Sequence, residues 1–334
     1  MKKALLLVTR EEKKYIEEIL GLLETAGYEA TNIIPVKSDH YLSRSKLGEI
    51  EYSVEENDVN TIIFYGNPKP SIVSKIMKTT RKEVVDRTLL ILEIFNQHAG
   101  SKEAQLQIEL ARLKHITPLV REMVRRKRMG EMPGFMGPGM YDVERYYRHI
   151  KNRISRLRRE LERVRKRREA MMKKRGGIPH VSIVGYASAG KTSLFNTITG
   201  ESKPVGEEYF TTLLPKHKAI IYKRKKIVFI DTVGFIRNIP PEIIEAFHAT
   251  LEETMFSDLI LFVLDSSEDY ETIIYKLDAG LSILERIEAD INPIVLVLNK
   301  IDRARENVLT RIEEEVASDL YSDLYNIRGV IRVS

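Results

Sequence analysis

Residues 1 to about 95 alternate short apolar runs of strand-forming residues with stretches of helical periodicity. Lys3 to Val8 reads as a strand and Glu11 to Thr25 as a helix; Glu49 to Asn57 then leads into a strand over Thr61 to Tyr65, followed by a helix over Ser71 to Thr79. Val84-Val85-Asp86-Arg87 reads as a last strand, running into an apolar helix over Leu89 to Phe95. Strands and helices in this order predict a small parallel α/β unit. The unit carries no chemical motif, and for Asp86 and Arg87 an internal ion-pairing role is expected rather than a functional one.

From Ser101 to Arg175 the pattern is helical, with one break from Met129 to Met140 that holds four glycines and two prolines. Proline and glycine at that density cannot continue a helix. Beyond the break, Val143, Tyr147, Ile150, Ile154, Leu157, Leu161 and Val164 recur at alternating spacings of four and three, which is the packing seam of a helical pair. The expected partner is the preceding helix, through Ala104, Ile108 and Ala111, giving two antiparallel helices with a glycine-rich tip. In that tip Met129, Met132, Phe135, Met136 and Met140 either fold back on one another or pack on a partner.

Arg175-Gly176-Gly177-Ile178-Pro179 breaks the second helix, and a new pattern begins at His180: apolar strands that each end in a polar motif. The expected organisation is an α/β subdomain over 1–100, a helical hairpin over 101–178 with its tip at 129–140, and a third domain over 179–334 with a mostly parallel sheet. A chain of 334 residues is more than twice the ~150 of an average domain, in keeping with several domains.

Composition, 43% apolar and 31% charged, excludes a disordered or fibrous chain. No apolar run reaches the ~18 residues of a membrane span, and the first apolar run meets charge at Arg10, too soon for a signal peptide. A cytoplasmic protein without stable membrane insertion is expected. The absence of cysteine excludes disulfides, zinc–thiolate sites and cysteine nucleophiles.

The net charge of +6 is unevenly spread: Arg145 to Arg175 hold fifteen Lys/Arg against Glu160, Glu162 and Glu169. Cations at that density repel one another unless an anion compensates, and the reading favours RNA phosphates. Arg145, Arg148, Lys151, Arg153, Arg156, Arg158, Arg159 and Arg163 are the candidate contacts, positioning rather than reading sequence.

The chemistry lies in the third domain. The strand Val181 to Val184 is followed at once by Gly185-Tyr186-Ala187-Ser188-Ala189-Gly190-Lys191-Thr192 and, through Ser193, a helix to Ile198. That is the phosphate-binding loop G-x-x-x-x-G-K-[ST] in its strand–loop–helix setting. Its backbone N–H groups cradle phosphates, Lys191 supplies charge to the β and γ oxygens, and Thr192 offers a hydroxyl to Mg²⁺. The strand Lys226 to Ile230 delivers Asp231-Thr232-Val233-Gly234, where Asp231 would hold Mg²⁺ through water and the Gly234 N–H would approach the γ-phosphate. Pro293 to Leu298 ends in Asn299-Lys300-Ile301-Asp302, whose carboxylate can accept two hydrogen bonds from guanine. Tyr209-Phe210-Thr211-Thr212-Leu213 offers the threonine that closes over Mg²⁺ and the γ-phosphate. Ile331 to Ser334 reads as a last strand entering the base-binding loop; GTPase domains normally continue from there, so a truncated chain is expected.

These residues resemble the HflX family of GTPases over nearly the whole chain. The resemblance runs through GYASAGKTSLFN, YFTTLLP, DTVGFIRNIPPEIIEAFHATLEE and NKID, and earlier through VVDRTLLILEIFNQHAGSKEAQLQIELARL and GPGMYDVERYYRHIKNRISRLRREL. The family's F-A-T-L segment aligns its threonine with Thr212. The resemblance implies an N-terminal α/β subdomain with a helical hairpin, a GTPase domain behind it, and GTP hydrolysis stimulated on the large ribosomal subunit. It also implies a tip that reaches ribosomal RNA near the peptidyl-transferase region, and work in ribosome dissociation, rescue or stress response. A monomer is expected.

Some positions depart from the family. Ser188 replaces the asparagine credited with holding potassium, so potassium dependence is not expected. Met140 replaces a glutamate, and serines replace glycines in Tyr41-Leu42-Ser43-Arg44-Ser45-Lys46-Leu47. Phe235 follows Gly234 where Ras-like enzymes carry a water-orienting glutamine, and a phenyl ring cannot orient water. Slow intrinsic GTP hydrolysis is therefore expected, with Lys191, Thr212 and Gly234 as the catalytic group. The competing readings are an RNA-binding protein in which turnover is incidental, and an ATP-driven RNA remodeller.

Overall fold

The computed structural model describes residues 1–99, 101–129, 143–172, 177–201, 216–235, 254–289, 291–316, 321 and 324–334, with backbone alone for 98, 128, 165 and 167–172. The chain divides into two units, Met1–Arg165 and Lys166–Ser334.

The first unit is built on four parallel strands, β1 (Lys2–Thr9), β2 (Tyr28–Val36), β3 (Thr61–Tyr65) and β4 (Glu83–Asp86), in the order β2-β1-β3-β4. Ala4 to Leu7 and Ile62 to Tyr65 are fully buried, as expected of central parallel strands covered on both faces. That is why both strands read as unbroken apolar runs. The edge strand β2 was not expected: Thr31 and Asn32 interrupt its apolar pattern and Pro35 sits near its end, a residue that an edge tolerates. Helices α1 (Ile16–Thr25), α2 (Arg44–Glu56), α3 (Pro70–Thr80) and α4 (Arg87–His98) flank the sheet. Leu5, Leu7, Ile62 and Phe64 pack with Ile50 and Val54 of α2 and Ile72, Val73 and Ile76 of α3. Ser43 caps α2 by accepting the Lys46 N–H at 3.2 Å.

Asp86 takes the expected internal role, with a partner far along the chain. Its Oδ1 accepts the Leu89 N–H at 2.9 Å, capping α4, and its Oδ2 lies 2.6 Å from His115 Nε2. Arg87 places its guanidinium 5.3 Å from the centre of the Tyr65 ring. Asp86 thus fastens the end of β4 to the next helix, α5 (Lys102–Arg128), whose own start is capped by Ser101 accepting the Ala104 N–H at 3.0 Å.

α5 and α6 (Val143–Met172) form the expected antiparallel pair. Tyr147 and Arg148, near the start of α6, share a groove of about 1080 Å³ with Pro118 and Arg121 of α5, while Arg153 clasps the Glu109 carboxylate through two bonds of 2.7 Å. Higher numbers on one helix therefore meet lower numbers on the other. Every seam residue from Val143 to Val164 is buried or half-buried, with Ile150 and Leu157 completely so. Of the basic candidates, Arg145, Arg148, Lys151, Arg156, Arg158, Arg159 and Arg163 are exposed, whereas Arg153 is half-buried and held by Glu109. Met129 is exposed; the rest of the tip, with Met132, Phe135, Met136 and Met140, lies outside the described residues.

The second unit has a six-stranded sheet in the order β10-β9-β8-β5-β7-β6. Its strands are β5 (His180–Gly185), β6 (Lys216–Tyr222), β7 (Lys225–Asp231), β8 (Leu259–Asp265), β9 (Ile294–Asn299) and β10 (Ile327–Arg332). All neighbours run parallel except β6 and β7, which form an antiparallel hairpin. Helices α7 (Lys191–Thr199), α8 (Tyr270–Arg286) and α9 (Glu306–Val316) complete the unit among the described residues. Neither β6 nor β8 was expected from sequence. Phe195 of α7 packs into Val181, Ile183, Val263 and Val297, fixing the helix across the middle of the sheet. Four neighbouring strands then end at one edge in Gly185, Asp231, Asp265 and Asn299. The carboxyl ends of parallel strands are where open α/β sheets bind ligands. Among the described residues of either unit, no helix is long and apolar enough to cross a membrane.

Candidate functional site

The loop between β5 and α7 turns sharply because two positions admit only glycine. Gly185 has φ +143° and a Cβ there would lie 2.3 Å from the Val263 carbonyl oxygen; Gly190 has φ +95° and a Cβ would lie 2.1 Å from Asn299 Nδ2. Ser188 between them also takes a left-handed conformation, φ 62°, which serine rarely adopts. The loop wraps over Lys191, a residue 6% exposed whose ammonium donates to the Tyr186 carbonyl at 2.6 Å. At the second residue of α7, the Thr192 hydroxyl donates to Asp231 Oδ2 at 3.0 Å. Asp231 is completely buried at the end of β7, and Ser193 lies half-buried beyond Thr192.

Gly234 closes this group from the other side. A Cβ at that position would lie 2.8 Å from Ala187 Cα and 2.9 Å from Lys191 Nζ, so the backbone of the D-x-x-G segment can touch the loop only as glycine. The next residue fastens the contact: the Phe235 N–H donates to the Gly185 carbonyl at 2.9 Å, and the Phe235 carbonyl accepts the Ala187 N–H at 2.8 Å. The Phe235 ring turns inward and is 2% exposed, edge-on to Tyr186 at 6.2 Å and tilted against Phe262 at 6.1 Å. It anchors the segment and has no access to a water at the phosphates.

The N-K-x-D segment supports the same loop. Asn299 Nδ2 donates to the Ala189 carbonyl at 2.8 Å, and Lys300 Nζ donates to the Ser188 carbonyl at 3.0 Å and to Asp265 Oδ2. Burial alone would raise the Asp265 carboxyl, but hydrogen bonds from Lys300 and from the Ser267 hydroxyl and N–H outweigh it and hold that carboxyl below its usual value. Asp265 was missed in the sequence, although its signal was there: an acid ending the apolar run Leu259 to Leu264, just as Asp231 ends Lys226 to Ile230. Asp302 sits more openly than a buried acceptor, its side chain 54% exposed, with Ser334 Oγ donating to its Oδ1 at 3.0 Å. Val333, whose N–H donates to the Leu298 carbonyl at 2.9 Å, brings Ser334 to that carboxylate. Thr212, with all of 202–215, lies outside the described residues.

Three family descriptions match successive parts of the chain: "GTP-binding GTPase N-terminal" over residues 13–96, "GTP-binding GTPase Middle Region" over 98–175 and "50S ribosome-binding GTPase" over 180–300. The GTPase HflX of Hyperthermus butylicus is 50% identical over 330 residues, covering 96% of this chain and 87% of that one. The chain belongs to the HflX family of GTPases. The GTPase HflX of Saccharolobus solfataricus is 39% identical, covering 98% of this chain and 93% of its own. The crystal structure of the SsGBP and GDP complex matches all of this chain and 93% of that one at 37% identity, with a TM-score of 0.62.

The loop lysine makes the site sensitive to pH. Burial pulls the Lys191 ammonium from its usual 10.5 down to about 8, with Asp231 opposing. Because the folded value lies below the unfolded one, the ligand-free fold loses stability as pH falls from about 10.5 to about 8, and loses no more from this group below that. An anionic phosphate favours the charged lysine and pulls its pKa back up. Nucleotide affinity is therefore expected to weaken as pH rises above about 8, with proton uptake on binding near pH 9 and almost none near pH 6.5. Calorimetric titration of GDP in buffers of different ionisation enthalpy measures that uptake. Equal uptake at both pH values would remove the assignment to Lys191.

Proposed function

We propose that this HflX-family chain binds and hydrolyses GTP, and that it does so on the large ribosomal subunit, bound through ribosomal RNA, as a monomer in the cytoplasm. The observation that carries the reading is the closure of Gly234 and Phe235 onto the phosphate-binding loop directly over Lys191. In that role, Gly185 to Ser193 wrap the phosphates, Asn299, Lys300, Asp302 and Ser334 hold guanine, and Lys191 neutralises charge developing on the β and γ oxygens. The Gly234 N–H and Thr212 complete the γ-phosphate pocket. Thr192 and Asp231 offer hard oxygen donors 3.0 Å apart, a donor pair that suits Mg²⁺ better than softer metals. Bound there, Mg²⁺ would neutralise phosphate charge, held by Thr192 and Thr212 and, through water, by Asp231.

With the Phe235 side chain committed to packing, the attacking water must be oriented by backbone or by a group the ribosome contributes, so slow intrinsic turnover is expected. Ribosome dissociation, rescue or stress response is the work that the family resemblance implies. The hairpin over 101–178 supplies the RNA-facing part, and 179–334 the switch. Single-turnover GTP hydrolysis is expected to be slow for the isolated protein and strongly accelerated by purified large subunits. Cosedimentation should be tighter with a GTP analogue than with GDP and should fall steeply with salt. Fast turnover by the isolated protein that subunits leave unchanged would overturn the reading.

A further inference from the structure

The hairpin of β6 and β7 lies at the edge of the second unit's sheet, and its turn is at the opposite end of β7 from Asp231, so the nucleotide site does not use it. Between Lys216 and Lys226 it carries six Lys/Arg in eleven residues, and the first acid after them is Asp231. Tyr222 pairs with Lys225, so the strands are joined by a two-residue turn of Lys223 and Arg224. Both take positive φ, 46° and 67°. This is the type I′ geometry that matches the twist of the strands and is normally met by Asn-Gly. A lysine and an arginine there each carry left-handed strain of roughly 1–2 kcal/mol. A turn under selection for stability alone would not keep them; local backbone strain of this kind collects where a side chain has work to do.

The surroundings point to a polyanion. Among the described residues, Lys223, Arg224, Lys225 and Lys226 are all exposed and none pairs with a carboxylate. Beside them Ile221 is 80% and Tyr222 59% exposed, and the Lys223 ammonium lies 5.2 Å from the centre of the Tyr222 ring. Four cations on a rigid two-stranded tip complement regularly spaced phosphates. An exposed tyrosine among them is a surface on which an unpaired base or a sugar can stack. A lipid headgroup would satisfy the charges but leave the ring without use, and Trp, the usual interfacial anchor, is absent from the chain.

We infer that the β6–β7 hairpin is a second RNA-binding element, separate from α6, in which Lys223, Arg224, Lys225 and Lys226 grip phosphates and Tyr222 stacks on a base. The inference uses the proposed ribosomal association only in preferring RNA to other polyanions. The turn itself supplies the test, because Lys223→Asn with Arg224→Gly installs the sequence this turn prefers while removing its two cations. The double variant is expected to melt at the same temperature as the parent or higher, yet to bind a labelled RNA stem-loop several-fold more weakly. The slope of log K against log salt should also become shallower by about 1 to 2. Tyr222→Ala should weaken the same complex with its salt slope unchanged.

Unaltered RNA affinity and salt slope in the turn variant would overturn the inference. So would weaker binding to phosphatidylserine vesicles with RNA binding intact, which would assign the hairpin to membranes. Cosedimentation of the parent keeps the two proposals distinguishable. Parent protein that binds large subunits unaffected by the turn variant defeats the hairpin alone, whereas hairpin-dependent RNA binding by a parent that ignores large subunits defeats the ribosomal reading alone.

Discussion

Asp302→Asn is expected to lower affinity for GTP and GDP by about 10²–10⁴-fold, since two hydrogen bonds to a charged acceptor contribute roughly 1.5–3 kcal/mol each. The same variant should gain affinity for xanthosine nucleotides, whose ring offers an oxygen where guanine has its amino group. The amide can donate to that oxygen, and no other change in the pocket is needed. The upper end of the range applies only if the base buries Asp302, because the carboxylate by itself is 54% exposed and bonded to Ser334. Competition between labelled GDP and xanthosine diphosphate measures both changes. An unaltered order of preference would remove the base assignment.

Lys191→Ala is expected to reduce single-turnover GTP hydrolysis by about 10²–10³-fold, the loss typical of removing one preorganised electrostatic contact to a transition state. Affinity should fall less, because the loop's backbone N–H groups remain. The fold should tolerate the change: the ammonium is a desolvated charge whose protonated form burial disfavours, and its hydrogen bond is to the loop's own Tyr186 carbonyl. Circular dichroism and melting curves like the parent's, alongside lost turnover, would separate chemistry from folding. A Lys191→Ala protein that still performs its cellular task would favour the rival in which RNA binding is the function and hydrolysis is incidental.

What the sequence disclosed follows from which interactions are local. The phosphate-binding loop was legible because its glycines answer to backbone constraints within a few residues, and the buried strands β1 and β3 because both faces are covered. The α6 seam was legible because the helical period survives even under a dense basic face. What escaped was set by distant partners. β2 has too many polar positions to read as a strand until β1 provides the neighbour. His115 carries nothing in its flanking sequence to say that it meets Asp86, and Arg153 looked like its neighbours until Glu109 claimed it. Asp265 escaped for a different reason: an acid ending an apolar run marked it, but its role is to receive Lys300, which the chain reaches 35 residues later. The inward ring of Phe235 was half legible, since its chemistry excluded water activation but its packing against Tyr186 and Phe262 required the fold.

That ring also sets where motion can start. Phe235 is held by two backbone hydrogen bonds to the loop and by aromatic contacts below it, and Phe262 rests in turn on α8 at Gly280, where a methyl group would already collide with the ring. Asp231 is fixed on the other side at the end of β7. Thr232 is fixed as well, its hydroxyl donating to the Ile183 carbonyl at 2.7 Å, so Val233 and Gly234 are the short span between two piers. A change at the phosphates is expected to lift the middle of that span without dragging its ends, so that Gly234 moves while Asp231 and Phe235 stay with the sheet.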